Sequence, residues 1–278
     1  MEKIKRTQRI AALTRILTES PNTLFTLNDF CGIFHTAKST MSEDIAIIES
    51  AMRAHQLGTI ETLPGASGGV RYKPRLSGKA AYRFIEEISA ELCDPSRHLP
   101  GGYLYWSDIL SSPPLVRQMG AIVAAVFQDA GADFVLTMET KGIPFALMTA
   151  NALGVPLVIS RRSSKVYEGS AVNINYVSGR GSIETMALSR RAVKEGQKAL
   201  IVDDFIRAGG TAHGMVSLMK EFSVSVVGMA FMLAQDNVVD RQVTGDKALM
   251  LFSEDESGRL LVRPAPWLHD LAKGDGEA

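Results

Sequence analysis

Cysteine is almost missing from this sequence: 278 residues hold only Cys31 and Cys93, far apart and neither in a CxxC pair. That scarcity argues against a disulfide framework and fits a reducing compartment. Both cysteines are most simply buried small apolar residues. The five histidines (35, 55, 98, 213 and 269) stand singly, which argues against a His/Cys metal cage. There is no apolar run of membrane-spanning length and no secretory-leader pattern, so a cytoplasmic protein without a membrane partner is expected. Net charge is absent too: thirty Lys and Arg balance thirty Asp and Glu, and the bulk charge names no partner.

The distribution of charge is less even. Residues 1–75 hold ten Lys and Arg against seven Asp and Glu, with Lys3, Lys5, Arg6, Arg9 and Arg15 at the very start. A basic head on an acidic body points to a polyanion, or else to a merely solvated terminus. Ile10, Leu13 and Leu17 share a helical face that Ser20-Pro21-Asn22 ends. A short helix follows near 27–34. A third starts around Lys38–Thr40, where Thr40 and Glu43 have capping-box spacing and Met41, Ile45, Ile48 and Met52 form the apolar stripe. "LGTIETLPGASGGVRYKP" then reads as a hairpin.

Three short helices and a hairpin are the layout of a winged helix-turn-helix, used on DNA or for protein contacts. On DNA, the third helix would present Lys38, Ser39, Thr40 and Ser42 to the major groove. Arg71 and Lys73 would serve the wing, and Lys5, Arg6 and Arg9 the phosphates. Glu43 and Asp44 repel phosphate and should face away.

The segment 77–92 reads as an amphipathic bridge, and "DPSRHLPGG" marks a boundary. The expected organisation is a winged-helix unit at 1–75, a linker helix and boundary at 76–100, and a third part at 101–278. In that part, strand-like runs at 134–138, 156–160, 199–203, 224–233 and 248–252 alternate with helical patterns at 115–130, 143–153, 186–195 and 212–222. Such alternation implies an α/β fold with a mainly parallel sheet.

"ALIVDDFIRAGGTAHGM" at 199–215 is the densest chemistry in the chain. Asp203 and Asp204 close an apolar strand, where two carboxylates can accept from vicinal hydroxyls or share Mg²⁺. Gly209-Gly210-Thr211 then opens a helix whose free N–H groups and dipole suit a phosphate. The spacing is neither a Walker A loop nor GxGxxG.

"LIVDDFIRAGGT" resembles the phosphoribosyl-diphosphate (PRPP) signature of type I phosphoribosyltransferases. "TMETKGIP" at 137–144 resembles that family's pyrophosphate loop, which implies a diphosphate near Thr140, Lys141 and Gly142. The resemblance assigns the ribose hydroxyls to Asp203 and Asp204, and the 5′-phosphate to Ala208, Gly209, Gly210 and Thr211. Segment 161–185 corresponds to the family's mobile loop, and its Arg161, Arg162 and Lys165 contact diphosphate or are solvated. Transferases commonly carry a hydroxyl pair where this chain has Arg207-Ala208, a loss of about 1 kcal/mol of phosphate binding.

Winged head and PRPP signature together resemble the purine operon repressors of Gram-positive bacteria. The likeness extends through "AKSTMSEDIAIIE", "TLPGASGGVRYKP", "LPGGYLYWSDIL", "VYEGSAVNINYVSG" and "VDDFIRAGGT". It implies a homodimer that binds promoter double-stranded DNA and represses purine synthesis and transport genes. It also implies PRPP, with or without Mg²⁺, as an effector that weakens DNA binding, guanosine tetraphosphate at the same pocket, and no transferase activity. The rival is an active purine phosphoribosyltransferase with a fused head; a third reading uses the head for assembly. Tyr103, Tyr105 and Trp106 either pack or stack on a base.

Overall fold

A computed structural model describes residues 4–65, 68–101, 103–164, 169–178, 181–256 and 258–274. The chain divides into two compact units. One runs to Leu76 and takes in 151–154; the other comprises Ser77–Ala150 and the chain from Val155 onward.

The first unit is the expected head: α1 (Arg6–Glu19), α2 (Leu27–Phe34) and α3 (Lys38–Ala54), then β1 (Thr59–Leu63) paired antiparallel with β2 (Gly69–Lys73). Its core gathers Leu13, Leu17, Phe30, Met41, Ile45, Ile48, Met52, Ile60 and Val70, so the apolar stripe read from α3 is its buried face. Thr26 and Asp29 form the capping box, at the start of α2. α3 instead begins after Ala37 with no side-chain cap, which places Thr40 inside its first turn; the Thr40–Glu43 cap is corrected. Cys31 and Cys93 are half-buried rather than buried.

The second unit begins with α4 (Gly78–Leu92). This helix was expected as a bridge between domains, but it packs within the second unit. The Gly78 backbone lies so close to Leu271 that a Cβ would meet its carbonyl oxygen at 2.2 Å. Next come the two-residue strands β3 (His98–Leu99) and β4 (Tyr103–Leu104), then α5 (Ser107–Leu110), α6 (Pro113–Phe127), β5 (Phe134–Met138), α7 (Ile143–Leu153) and β6 (Leu157–Ser160). The chain continues through β7 (Ala171–Val177), β8 (Ile183–Ser189), β9 (Lys198–Ile206), α8 (Gly210–Glu221), β10 (Ser225–Gln235), β11 (Lys247–Glu254), β12 (Leu260–Pro264) and α9 (Pro266–Gly274).

The main sheet has the order β12-β11-β10-β9-β5-β6, parallel except for β12. β9 is central, and Ala199, Leu200, Ile201 and Val202 are fully buried on it. The chain runs outward from β5 to β6 and returns to the other side of β5 as β9. The gap beyond the carboxyl ends of β5 and β9 is therefore a topological switch point, where open α/β sheets bind ligands.

Two expectations fail here. Residues 183–189 form strand β8 instead of part of a helix at 186–195, and β8 pairs with β7, so much of segment 161–185 is a hairpin rather than an open loop. The alternating apolar residues of "AVNINYV" carried that signal: Val172, Ile174 and Tyr176 pack on the core.

Candidate functional site

Both sequence motifs converge on the switch point. The loop after β5 brings Thr140, Lys141 and Gly142, and the turn after β9 brings Ala208 through Thr211. Asp203 and Asp204 lie toward the end of β9 between them.

Gly142 is in direct van der Waals conflict with any larger residue, since a Cβ there would lie 1.9 Å from Asp203 Oδ1 and 2.9 Å from Thr137 Oγ1. The loop therefore rests on Asp203 with no space to spare. Gly142→Ala is expected to push the loop off Asp203 and to destabilise the second unit by about 1–3 kcal/mol, the cost of an overpacked buried contact. Thermal unfolding checks this, and an unchanged melting temperature would show that the loop yields freely at Asp203. The peptide between Glu139 and Thr140 is cis.

The acidic pair is only partly compensated, the Asp204 backbone N–H donating to Asp203 Oδ1 at 3.0 Å. Burial pushes the Asp203 carboxyl well above the usual range, and the neighbouring charge of Asp204 adds to the shift. Burial also raises Asp204, opposed by hydrogen bonding with Asp203, the nearby Trp106 indole and the positive charge of Lys141. Lys141 Nζ lies 5.3 Å over the Trp106 ring, and that ring packs, tilted by 36°, with its centroid 5.6 Å from that of Phe205. Trp106 thus packs against Lys141 and Phe205 beside the acidic pair, while Tyr103 and Tyr105 are exposed. The Trp106 Nε1 and Thr137 Oγ1 atoms are buried and lack a well-formed hydrogen bond. A site with underused polar side chains and only partly compensated carboxylates suits a ligand rich in hydroxyls. Two carboxylates at one strand end also fit a divalent cation shared with a ligand's phosphate oxygens.

On the phosphate side, Gly209 adopts the left-handed conformation (φ 86°) as the N-cap of α8. No side chain caps that terminus, which leaves it to an anion. Gln242 N–H donates to the Ala208 carbonyl at 2.8 Å, so the segment after β10 braces the turn. Sequence reasoning did not find that brace, because nothing in "DNVVDRQV" marks it. Tyr176 of β7 packs on α8 at Gly214, where a Cβ would approach the ring at 2.9 Å. The Tyr176 hydroxyl donates to Glu184 Oε2 at 3.1 Å.

The other expected diphosphate contacts are placed differently. Arg161 Nη1 donates to Glu139 at 3.3 Å, and the Arg162 backbone N–H donates to the same carboxylate at 2.7 Å. Arg162 Nη1 also binds Glu184 at 2.8 Å. These two residues brace the strand ends beside the pyrophosphate-like loop. Lys165 lies outside the described residues.

In the head, Lys5, Lys38, Ser39 and Ser42 are exposed and Thr40 is half-buried. A groove of about 410 Å³ between α3 and the wing is lined by Asn28, Lys38, Ser42, Ala46, Glu49 and Thr62. Arg9 is a correction. It is 7% exposed, and its Nε lies 2.5 Å from Asp44 Oδ2, so it is a core ion pair rather than a phosphate contact. Asp44 is fully buried and also receives Arg6 Nε at 3.0 Å, while Arg6 reaches exposed Glu43 at 3.2 Å. Asp44 faces away from the groove because α1 neutralises it. Arg71 and Lys73 both bind Glu61, on the opposite strand face from Thr62. These bonds hold the Glu61 carboxyl below its usual range, Arg71 contributing most.

A profile of the bacterial purine repressor N-terminal domain matches residues 5–74, and one of the phosphoribosyl transferase domain matches residues 105–255. The adenine phosphoribosyltransferase of Saccharomyces cerevisiae superposes with a TM-score of 0.50 at 21% identity, covering 60% of this chain and 97% of that one. The class is therefore a winged head joined to a unit of phosphoribosyltransferase fold.

Over 252 residues the chain is 41% identical to the purine biosynthesis transcriptional repressor PurR of Bacillus subtilis (strain 168), across 90% of this chain and 88% of that protein. It is 40% identical over 248 residues to the purine biosynthesis transcriptional activator PurR of Lactococcus lactis subsp. lactis (strain IL1403), across 89% and 92%. The chain belongs to the bacterial purine repressor family. The xanthine phosphoribosyltransferase of Lactococcus lactis subsp. cremoris (strain MG1363) is 31% identical over 158 residues, across 54% of this chain and 80% of that enzyme.

Proposed function

We propose that the protein is a homodimeric transcription factor that represses purine synthesis and transport genes, and that PRPP in the second unit weakens its hold on promoter DNA. The observation that carries this is the Asp203–Asp204 pair, buried at Asp203 and half-buried at Asp204, beside a Gly-Gly-Thr helix start without a side-chain cap, in a chain whose head is that of the purine repressors. On this reading Asp203 and Asp204 would receive the ribose hydroxyls, the turn at Ala208–Thr211 the 5′-phosphate and Lys141 the diphosphate; if Mg²⁺ accompanies the ligand, the two carboxylates would help hold it and it would offset the diphosphate charge. Guanosine tetraphosphate is the competing candidate for the same pocket. Repression is the sign we favour because the Bacillus relative bears that name; the Lactococcus relative is named an activator.

Binding is linked in both directions. If PRPP favours the state that does not bind DNA, DNA must lower PRPP affinity by the same factor, of the order of 5–150-fold. The deciding experiment titrates a promoter fragment with and without PRPP-Mg²⁺. Release by PRPP is the expected result, and a DNA affinity indifferent to PRPP overturns the reading.

Among the described residues, Lys38 makes no ion pair, and it lines the groove beside the wing. Lys38→Ala is expected to weaken promoter binding and flatten its salt slope by about one, as for a single phosphate contact. An unchanged slope would place Lys38 off the interface.

The transferase reading draws on the enzyme relatives and the match to the phosphoribosyl transferase domain. Against it stands Ala208, where transferases commonly present a hydroxyl. Incubation with PRPP and each purine base separates the two, since nucleotide formation at enzymatic rates would establish the enzyme.

A further inference from the structure

Glu61 occupies the middle of β1 and faces Arg71 across the strand pair in register. Lys73 lies two residues further along β2, on the same face by strand alternation. One oxygen of Glu61 accepts from Arg71 Nε, and the other accepts from Lys73 Nζ at 3.1 Å. All three side chains are partly shielded, Lys73 most of all at 16% exposure, so salt screens these bonds less than those of a freely exposed pair. A single carboxylate thus engages both cations of β2.

The same restraint recurs in the head. Arg6 and Arg9 converge on Asp44, and Arg53 is bound to Glu49 at 2.6 Å. Of the basic residues that made the head look like a DNA-binding unit, many are already engaged.

We propose that Glu61 is a specificity-determining residue of the head: it occupies the wing's two cations, so that DNA phosphate must displace a carboxylate to reach them. Attachment to DNA of arbitrary sequence scales with the number of phosphates neutralised. Promoter binding draws in addition on base contacts, here from the exposed side of α3. Specificity is a difference of affinities, so the counter-charge sharpens it to the extent that arbitrary DNA, held by phosphates alone, leans on the wing cations more than the promoter complex does.

The inference rests on DNA being the head's partner. Full-length wild type and Glu61→Gln are titrated with a promoter fragment and with a random-sequence duplex across a salt series. Glu61→Gln is expected to bind the random duplex about tenfold tighter, with a salt slope steeper by about one to two and a smaller gain on the promoter. Adding Arg71→Gln and Lys73→Gln to Glu61→Gln is expected to return the slope. Unchanged random-duplex affinity and slope in Glu61→Gln overturns the proposal, and so does an equal gain on both duplexes or a gain that survives removal of both cations. Should Glu61→Gln melt below the assay temperature, Glu61→Asp takes its place. Its carboxylate is too short to span both cations, and a value between wild type and full release is expected, while wild-type behaviour overturns the proposal. Wild type that binds neither duplex would instead overturn the DNA-binding reading, and Glu61's role with it.

Discussion

Replacing Asp203 and Asp204 together by asparagine is expected to abolish release of promoter DNA by PRPP while raising the melting temperature of the second unit at neutral pH. The first effect follows from the acceptors. Hydrogen bonds to charged groups contribute roughly 1.5–3 kcal/mol each, so losing two carboxylate acceptors weakens ligand binding by about a hundredfold or more. The second follows from linkage. Both carboxyls are raised by burial in the folded state. Between the ordinary carboxyl pKa, about 4, and the raised folded value, the folded chain binds more protons than the unfolded one, so stability falls as pH rises. Asparagine is neutral throughout and removes that slope.

The same shift sets the pH dependence of binding. Ionised carboxylates are the better acceptors, so PRPP affinity in the wild type is expected to fall as pH drops through the raised values. Thermal melts at several pH values and promoter titrations check both halves. A double variant still released by PRPP would remove the ribose role. One that melts lower at neutral pH would show that the buried charge is not a burden on the fold.

Asp44→Ala is expected to have the largest effect on stability. It leaves Arg9, with only 8% of its side chain exposed, as a buried cation without its partner. Breaking such a pair by removing one member costs about 3–5 kcal/mol. The head is small, and a unit that runs only to Leu76 with residues 151–154 added has little stability to lose, so promoter binding should vanish with it. PRPP binding by the second unit should persist, since Asp44 belongs to the first. Thermal unfolding followed with calorimetric PRPP titration checks this. A head that melts normally would mean that Arg9 finds another partner or reaches water.

Much of this was legible in the sequence where local pattern decides. Strand β5 and helix α7 fall on their expected limits, because an apolar run and a clean helical period leave little choice. The acidic pair and the glycine turn were readable because their spacing is itself the chemistry. What the sequence hid was partnership at a distance. Arg9 and Asp44 are 35 residues apart, and in one dimension the arginine looks like a surface cation and the aspartate like a liability. Residues 186–195 misled because Met186, Ala187 and Leu188 are consecutive buried residues, a run that helix and strand share. Only the pairing of β8 with β7 settles it.

The helix α4, strand β12 and helix α9 lie outside the residues matched to the phosphoribosyl transferase domain, yet they belong to the same unit. β12 covers the otherwise open flank of β11, and Cys93 at the end of α4 ties to it through the Val262 backbone, accepting its N–H at 3.2 Å. A fragment cut at 105–255 would leave β11 with a bare row of backbone donors and acceptors, a template for joining sheets between molecules. The practical boundary for expressing the second unit alone is therefore Ser77 to the chain's end, which keeps both flanking helices and the strand they hold.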